Sequence, residues 1–213
     1  MLIEQVFERD IAKIMEVEEA AFISPIRTTE TNIKRRLGLN HVYFAAFDGT
    51  RPIGTIAFRN AHFSPHNYAS FPKTFAEYAE EQNDARANAV FVYSLGVVPA
   101  HRSGFAAKKL IQAALAEAKR RGLRYCVGDS RCPSFNGSTD WPEERFKQNK
   151  ELHQLIEQHL NGGSFPKNEV LLQDPVLGFY MKVMGFKALW IVPGFWMGDK
   201  PCGNFMVIIY AEL

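Results

Sequence analysis

Cysteine is scarce: the 213 residues hold three, Cys126, Cys132 and Cys202. An odd number without C-x-x-C spacing excludes a disulfide framework and a cysteine-built zinc site, and fits a reducing cytosol. Long apolar runs are missing, and so is the basic-then-apolar start of an export signal. A cytoplasmic location with no membrane partner is therefore expected. Charge of one sign is also lacking, since a formal net charge of +2 is too small to steer a nucleic acid. The two basic clusters, Lys34-Arg35-Arg36 and Lys119-Arg120-Arg121, stand near predicted helix C-termini, where cations complement the dipole. Metal-ligand patterns are absent as well. His62 and His66 flank Pro65 without cysteine or carboxylate company, and His153 and His159 fall on different faces of one helix, so no metal is expected. With no repeat and no low-complexity linker, a single domain over 1–213 is expected, carrying insertions at about 61–88 and 131–172.

What the chain does have is one informative stretch, Ala89 to Gly122. Its first ten residues are mostly apolar or β-branched, as in a strand buried on both faces. Pro99 stops the ladder, His101-Arg102-Ser103-Gly104 forms a small basic turn, and a helix is predicted from about Phe105. Ala107, Leu110, Ile111, Ala114 and Ala118 make its apolar stripe, and Gly122 stands where a left-handed cap ends it. No acidic residue follows the turn until Glu117, whereas helix starts usually carry Asp or Glu against the dipole. Free backbone N–H groups, small residues and an arginine at such an end suit an anion such as a pyrophosphate.

The remaining elements follow in order. MLIEQVF reads as a strand; Asp10 caps a helix with Ile11, Ile14, Met15 and Phe22 on its apolar side. A second helix is predicted over Thr29–Leu37 with Gly38 as its stop, then strands His41–Phe47 and Arg51–Arg59 joined across Asp48-Gly49. The first insertion holds a predicted helix over Thr74–Glu81. Beyond Gly122, Leu123–Gly128 reads as a buried strand whose carboxyl end presents Asp129 and Ser130, a position where open sheets gather ligands. A polar helix is predicted over Pro142–Leu160. Asp174 as N-cap and Pro175 at the first position open another helix, with Val176, Phe179, Tyr180 and Val183 on its stripe and Gly185 at its end. Lys187–Val192 and Asn204–Tyr210 are the closing strands.

The run V-V-P-A-H-R-S-G-F-A-A-K-K-L resembles the acyl-CoA-binding segment of the GNAT superfamily of N-acetyltransferases, Q/R-x-x-G-x-G/A between strand and helix. Counted from Pro99, Arg102 takes the Q/R place and Ala107 the last small place, while Phe105 stands where the family has glycine. One residue earlier, Gly104 and Ala106 take the small places and His101 the Q/R place. D-P-V-L-G-F-Y-M-K-V-M-G-F resembles the family's late helix, N-x-x-A-x-x-[FL]-Y-x-x-x-G-F. Counted back from Gly185-Phe186, however, the tyrosine place falls on Met181 and not on Tyr180. The order of elements is similar too, and it implies a mixed α/β fold with a central twisted sheet of six to seven strands flanked by helices.

The resemblance further implies acetyl-CoA, or another acyl-CoA, as co-substrate and a small-molecule or peptide amine as acceptor, in a monomer or homodimer. Backbone groups of Leu95, Gly96 and Val97 would hold the pantetheine, and Arg102, Ser103, Gly104, Phe105, Ala106 and Ala107 the pyrophosphate. Tyr180 would protonate the leaving thiolate, and Tyr93, Asp129 and Ser130 would meet the acceptor. The family often places a glutamate in an E-S-L-x-V context on the central strand, and here Tyr93 replaces it. A phenol is a poor base at neutral pH, so Asp129, a histidine such as His101, or a water chain are the alternatives. Neither Cys126 nor Ser130 sits in a nucleophile elbow, which favours direct attack by the amine over an acyl-enzyme. Two other functions fit the same sequence: transfer of a longer acyl chain, and acyl-CoA sensing without turnover.

Overall fold

The computed structural model describes residues 1–22, 24, 26–103, 105–137 and 147–213. Seven strands form one mixed sheet in the order β1-β2-β3-β4-β5-β7-β6: β1 (Leu2–Val6), β2 (Val42–Asp48), β3 (Arg51–Ala61), β4 (Ala89–Val97), β5 (Tyr125–Ser130), β6 (Lys187–Val192) and β7 (Met206–Glu212). The helices are α1 (Ile11–Ala21), α2 (Glu30–Gly38), α3 (Phe75–Ala79), α4 (Phe105–Arg120), α5 (Lys150–Leu160), α6 (Asn168–Leu171) and α7 (Pro175–Gly178). The expected sheet and flanking helices are therefore observed. The chain divides into two compact units, residues 1–64, 76–127 and 212–213, and residues 65–75 and 128–211.

In the first unit β1 to β4 form an antiparallel meander. The β2–β3 hairpin turns at Gly49-Thr50, where Gly49 takes φ 59, a conformation open to glycine without a Cβ clash. Helices α1 and α4 pack on opposite faces of β3 and β4. Thr55 and Gly96 are paired and face α1, while Gly54 and Val97 are paired and face α4. Gly96 is required by α1's end: a Cβ there would stand 2.6 Å from Phe22 Cε2.

Several boundaries differ from expectation for local physical reasons. Asp10 occupies the N-cap of α1 without capping it, because its carboxylate accepts instead from the Phe7 N–H (3.2 Å) and Lys13 (2.8 Å). Helix α2 includes Gly38; the stop is made two residues later by Asn40 at φ 63. Ala106, and not Ala107, lies on the buried stripe of α4, since the helix is turned to bring Leu110 and Ile111 onto the sheet. The helix expected over Thr74–Glu81 shortens to α3. That expected over Pro142–Leu160 begins at Lys150, where Asn149 caps it by accepting from the Leu152 N–H (3.0 Å); Pro142–Phe146 lie outside the described residues.

In the second unit, β6 and β7 pair antiparallel, and Phe195, Phe205 and Met206 are buried. Asp174 caps α7 by accepting from Val176 and Leu177 N–H (2.9 and 3.1 Å), and its other oxygen accepts from the Ser134 hydroxyl (2.6 Å). Cys126, Cys132 and Cys202 are free and buried. No helix among the described residues is long and apolar enough to cross a membrane. Among those residues no cluster of three or more His, Cys, Asp or Glu is arranged to hold a metal ion.

Candidate active site

The predicted cofactor segment folds as one strand–turn–helix in the first unit. β4 ends at Val97, Pro99–His101 make a single 3-10 turn, and α4 opens at Phe105 with no acid in its first turn. The four leading N–H groups of such a helix have no partner inside it. Arg102 ties the turn down: its Nε donates to the Val97 carbonyl (3.0 Å) and its Nη2 to that of Ala21 (2.9 Å), at the C-terminal end of α1. The same guanidinium thus fixes the turn and brings a positive charge to it. Ser103 is exposed and Ala107 half-buried. Phe105 is 58% exposed, with Lys109 Nζ 5.7 Å from its ring, so the bulky residue lies outside the core rather than filling the turn. Gly104 lies outside the described residues.

On β4 the register against β3 shifts. Ala57 pairs with Ser94 but Phe58 pairs with Val92, which leaves Tyr93 as the extra residue of a bulge. Bulges re-aim side chains and sharpen twist, and they recur beside active sites. Leu95 is half-buried, Gly96 and Val97 buried. The Tyr78 hydroxyl of α3 lies 3.1 Å from the Val92 carbonyl and 3.0 Å from that of Val127, so a residue of the first insertion sits where β4 meets β5.

Tyr93, at 3% exposure, is walled into a polar layer with His41, Tyr43 and Arg36 of α2. Its hydroxyl meets His41 Nδ1 at 3.1 Å, and His41 Nε2 meets the Glu81 carbonyl at 2.8 Å. A carbonyl only accepts, so Nε2 carries the proton and Tyr93 donates to Nδ1. Burial lowers the His41 pKa to about 4, which keeps the ring neutral, and burial raises the Tyr93 phenol. The Arg36 guanidinium lies 5.0 Å over the Tyr93 ring and pairs with Glu80. Tyr93 therefore offers no base, as its chemistry suggested.

Glu18 was not singled out by the sequence. It is 2% exposed, and its oxygens accept from the Ser94 hydroxyl and the Thr28 N–H, both at 3.4 Å. Burial, opposed by the Thr28 N–H and Arg36, raises its pKa to about 7. A signal was present: Glu18 stands on the α1 stripe with Ile11, Ile14 and Ala21, an acid where helical spacing calls for an apolar residue.

In the second unit Asp129 and Ser130 close β5, as expected from their places in the chain. Asp129 is half-buried, and desolvation holds its carboxyl well above the usual range. The Ser130 hydroxyl donates to the Arg131 carbonyl (3.2 Å). Tyr180 is half-buried in a π-turn, Phe179–Val183, closed by the Met184 N–H to the Phe179 carbonyl (3.2 Å). Such a turn closes from i to i+5, so five residues complete what four complete in an α-helix. Tyr180 and Gly185 are five apart, and the π-turn spans the additional residue. Gly185 ends the turn at φ 75.

An acid-free helix start beside a bulged strand defines an α/β protein suited to receiving an anionic ligand at one helix end. The model of the family described as "Acetyltransferase (GNAT) family" matches residues 11–134, more than half of the chain, and the chain belongs to that family. Comparison with curated proteins returns no match. Among solved structures, the fold is similar to the GphF GNAT-like decarboxylase in complex with isobutyryl-CoA: 22% identity, 100% of this chain and 99% of that one, TM-score 0.71. It is similar to the loading GNATL domain of CurA from Lyngbya majuscula, at 14% identity, 99% and 96% coverage and TM-score 0.70. The ribosomal-protein-S18-alanine N-acetyltransferase from Escherichia coli aligns at 10% identity over 99% and 92% of the chains, with TM-score 0.59.

Proposed function

We propose that the protein is an acyl-CoA-dependent N-acyltransferase that moves acetyl from acetyl-CoA to a primary amine by direct attack in a ternary complex. The observation that carries this reading is the acid-free N-terminus of α4, set by Arg102 against the end of β4. In it, the pyrophosphate rests on Arg102, Ser103 and the α4 start from Phe105 through Ala107. Backbone groups of Leu95, Gly96 and Val97 hold the pantetheine and polarise the thioester carbonyl. Tyr180 protonates the departing thiolate, a transfer suited to a phenol with an ordinary pKa of about 10. Asp129, whose carboxyl burial holds well above the usual range, and Ser130 orient the acceptor together with Tyr93. Direct attack is favoured because burial pushes the Cys126 thiol up to about 12 and the Ser130 hydroxyl is spent on a carbonyl.

A second reading is favoured by Tyr93 standing where the family often has a carboxylate, together with the likeness to a GNAT-like decarboxylase. Loss of CO2 from a carboxylated acyl-CoA deprotonates no amine: the C–C bond breaks, CO2 leaves, and the enolate carbon takes a proton.

One assay separates the two. The protein is given acetyl-CoA with a panel of amines, and malonyl-CoA alone. Amine-dependent thiol release with an N-acetyl product is expected; conversion of malonyl-CoA to acetyl-CoA without amine supports the second reading instead. Binding without either turnover supports the sensor. Under the first two, Arg102→Ala is expected to weaken acyl-CoA binding by about 1–3 kcal/mol, read by calorimetry, because a charge-assisted contact and the tie to Val97 go together. Unchanged affinity would remove Arg102 from the cofactor site.

A further inference from the structure

We propose that the proton acceptor missing from β4 is supplied by the helix packed over it: Glu18 of α1, reached through the Ser94 hydroxyl, deprotonates the amine. The inference rests on the N-acyltransfer reading. Its geometry is local to the first unit. Ser94 precedes Leu95, the first residue of the segment proposed to hold the thioester, and it follows the bulged Tyr93. It pairs with Ala57 on the face shared by Thr55 and Gly96, which is the face α1 covers. Ser94 is half-buried, and its hydroxyl donates inward to Glu18 Oε1 at 3.4 Å. The serine is thus the accessible end of a two-member relay and the buried carboxylate its inner end.

A purely architectural acid fits this place badly. Glu18 is buried to 2% and makes no ion pair among the described residues, and an uncharged glutamine would satisfy the Ser94 hydroxyl and the Thr28 N–H at lower desolvation cost. The groups that face it are Arg36 of α2, Arg27 after α1, Tyr43 of β2 and Ser94 of β4. Arg36 is already engaged by Glu80. Burial outweighs these cations and sets Glu18 at about 7, where a base operating near neutrality is most effective. The other candidates are less well provided. His41 is neutral with both ring nitrogens occupied, and burial disfavours the charged form of Asp129.

The step balances without a co-reactant. The amine nitrogen attacks the thioester carbon and the C–N bond forms. The nitrogen's proton passes to Ser94 Oγ as the serine proton passes to Glu18. The C–S bond then breaks, the thiolate takes a proton from Tyr180, and Tyr180 regains one from solvent as Glu18 returns its own to solvent.

The test uses the full chain with acetyl-CoA and a weakly basic amine that is already neutral at about pH 6, so that only the enzyme titrates. For the wild type, kcat/KM is expected to rise with pH to a plateau above about 7. Glu18→Gln is expected to lower it on the order of 100-fold and to remove that inflection, with acetyl-CoA affinity unchanged; Ser94→Ala lowers it in the same direction. A folded Glu18→Gln variant with the wild-type rate and profile overturns the proposal while leaving the N-acyltransfer reading intact. Should the variant fail to fold, carbon-13 NMR of the wild-type Glu18 carboxyl decides: a midpoint near 7 supports the base, and one near the ordinary 4.5 overturns it. A wild type that binds acetyl-CoA yet releases no thiol with any amine overturns the reading itself, and the base with it.

Discussion

Tyr180→Phe is expected to lower turnover on the order of 100-fold while acyl-CoA affinity stays within about twofold. The substitution deletes one hydroxyl and keeps the ring, so its contacts with Phe179 and Phe186 survive. In the proposed mechanism, what is lost is the acid that meets the thiolate, an interaction made only as the C–S bond breaks. Such a loss appears in kcat and kcat/KM together and not in binding. The expectation depends on register. A single residue on an α-helix swings a side chain by about 100°, which would turn Tyr180 away from the family's position. In the proposed reading the π-turn at Phe179–Val183 takes up the extra residue before Gly185 at φ 75. The complementary variant, Met181→Tyr in Tyr180→Phe, should not restore the rate. Normal turnover in Tyr180→Phe, measured by thiol release under saturating acetyl-CoA, would remove Tyr180 from the chemistry.

The strand–turn–helix from Ala89 to Gly122 was legible because each of its signals has one physical meaning. Pro99 ends a ladder, the acid-free start leaves the positive end of the helix dipole unneutralised, and Gly122 at φ 70 takes the left-handed cap. Asp174-Pro175 was legible for the same reason, as a cap followed by a residue that needs no N–H. What escaped was of two kinds. Single-residue insertions within elements, the Tyr93 bulge and the turn at Tyr180, leave the surrounding apolar pattern intact, so periodicity does not reveal them. Side-chain partners distant in sequence are equally silent. Ser94 meets Glu18 across 76 positions, and Tyr93 meets His41 across 52. The sequence points to β4, Asp129 and His101 for a base, whereas the carboxylate that accepts from Ser94 stands on α1. Asn40 and Asp10 show a smaller lesson: which of several adjacent polar residues makes the cap is set by packing, and composition alone leaves the choice open.

Arg131→Met is expected to destabilise the second unit by about 3–5 kcal/mol. Arg131 Nε and Nη2 donate to the two carboxylate oxygens of Asp199, each at 2.7 Å, a bidentate pair in which the Asp199 side chain is 1% exposed. Removing the cation strands that carboxylate away from water, and the cost is the desolvation of an unpaired charge rather than the worth of the pair. The loop from Trp196 to Asn204 is built on Asp199, whose carbonyl accepts from both Cys202 and Asn204 N–H at 3.0 Å, so the strain falls on the connection between β6 and β7. The double variant Arg131→Met/Asp199→Leu removes both charges and should recover most of the loss, since apolar pairs of similar volume often match buried ion pairs. Urea unfolding of the wild type, both single variants and the double variant closes the cycle. A double variant no more stable than Arg131→Met would mean that the cost lies in the packing of the arginine stem and not in the stranded charge.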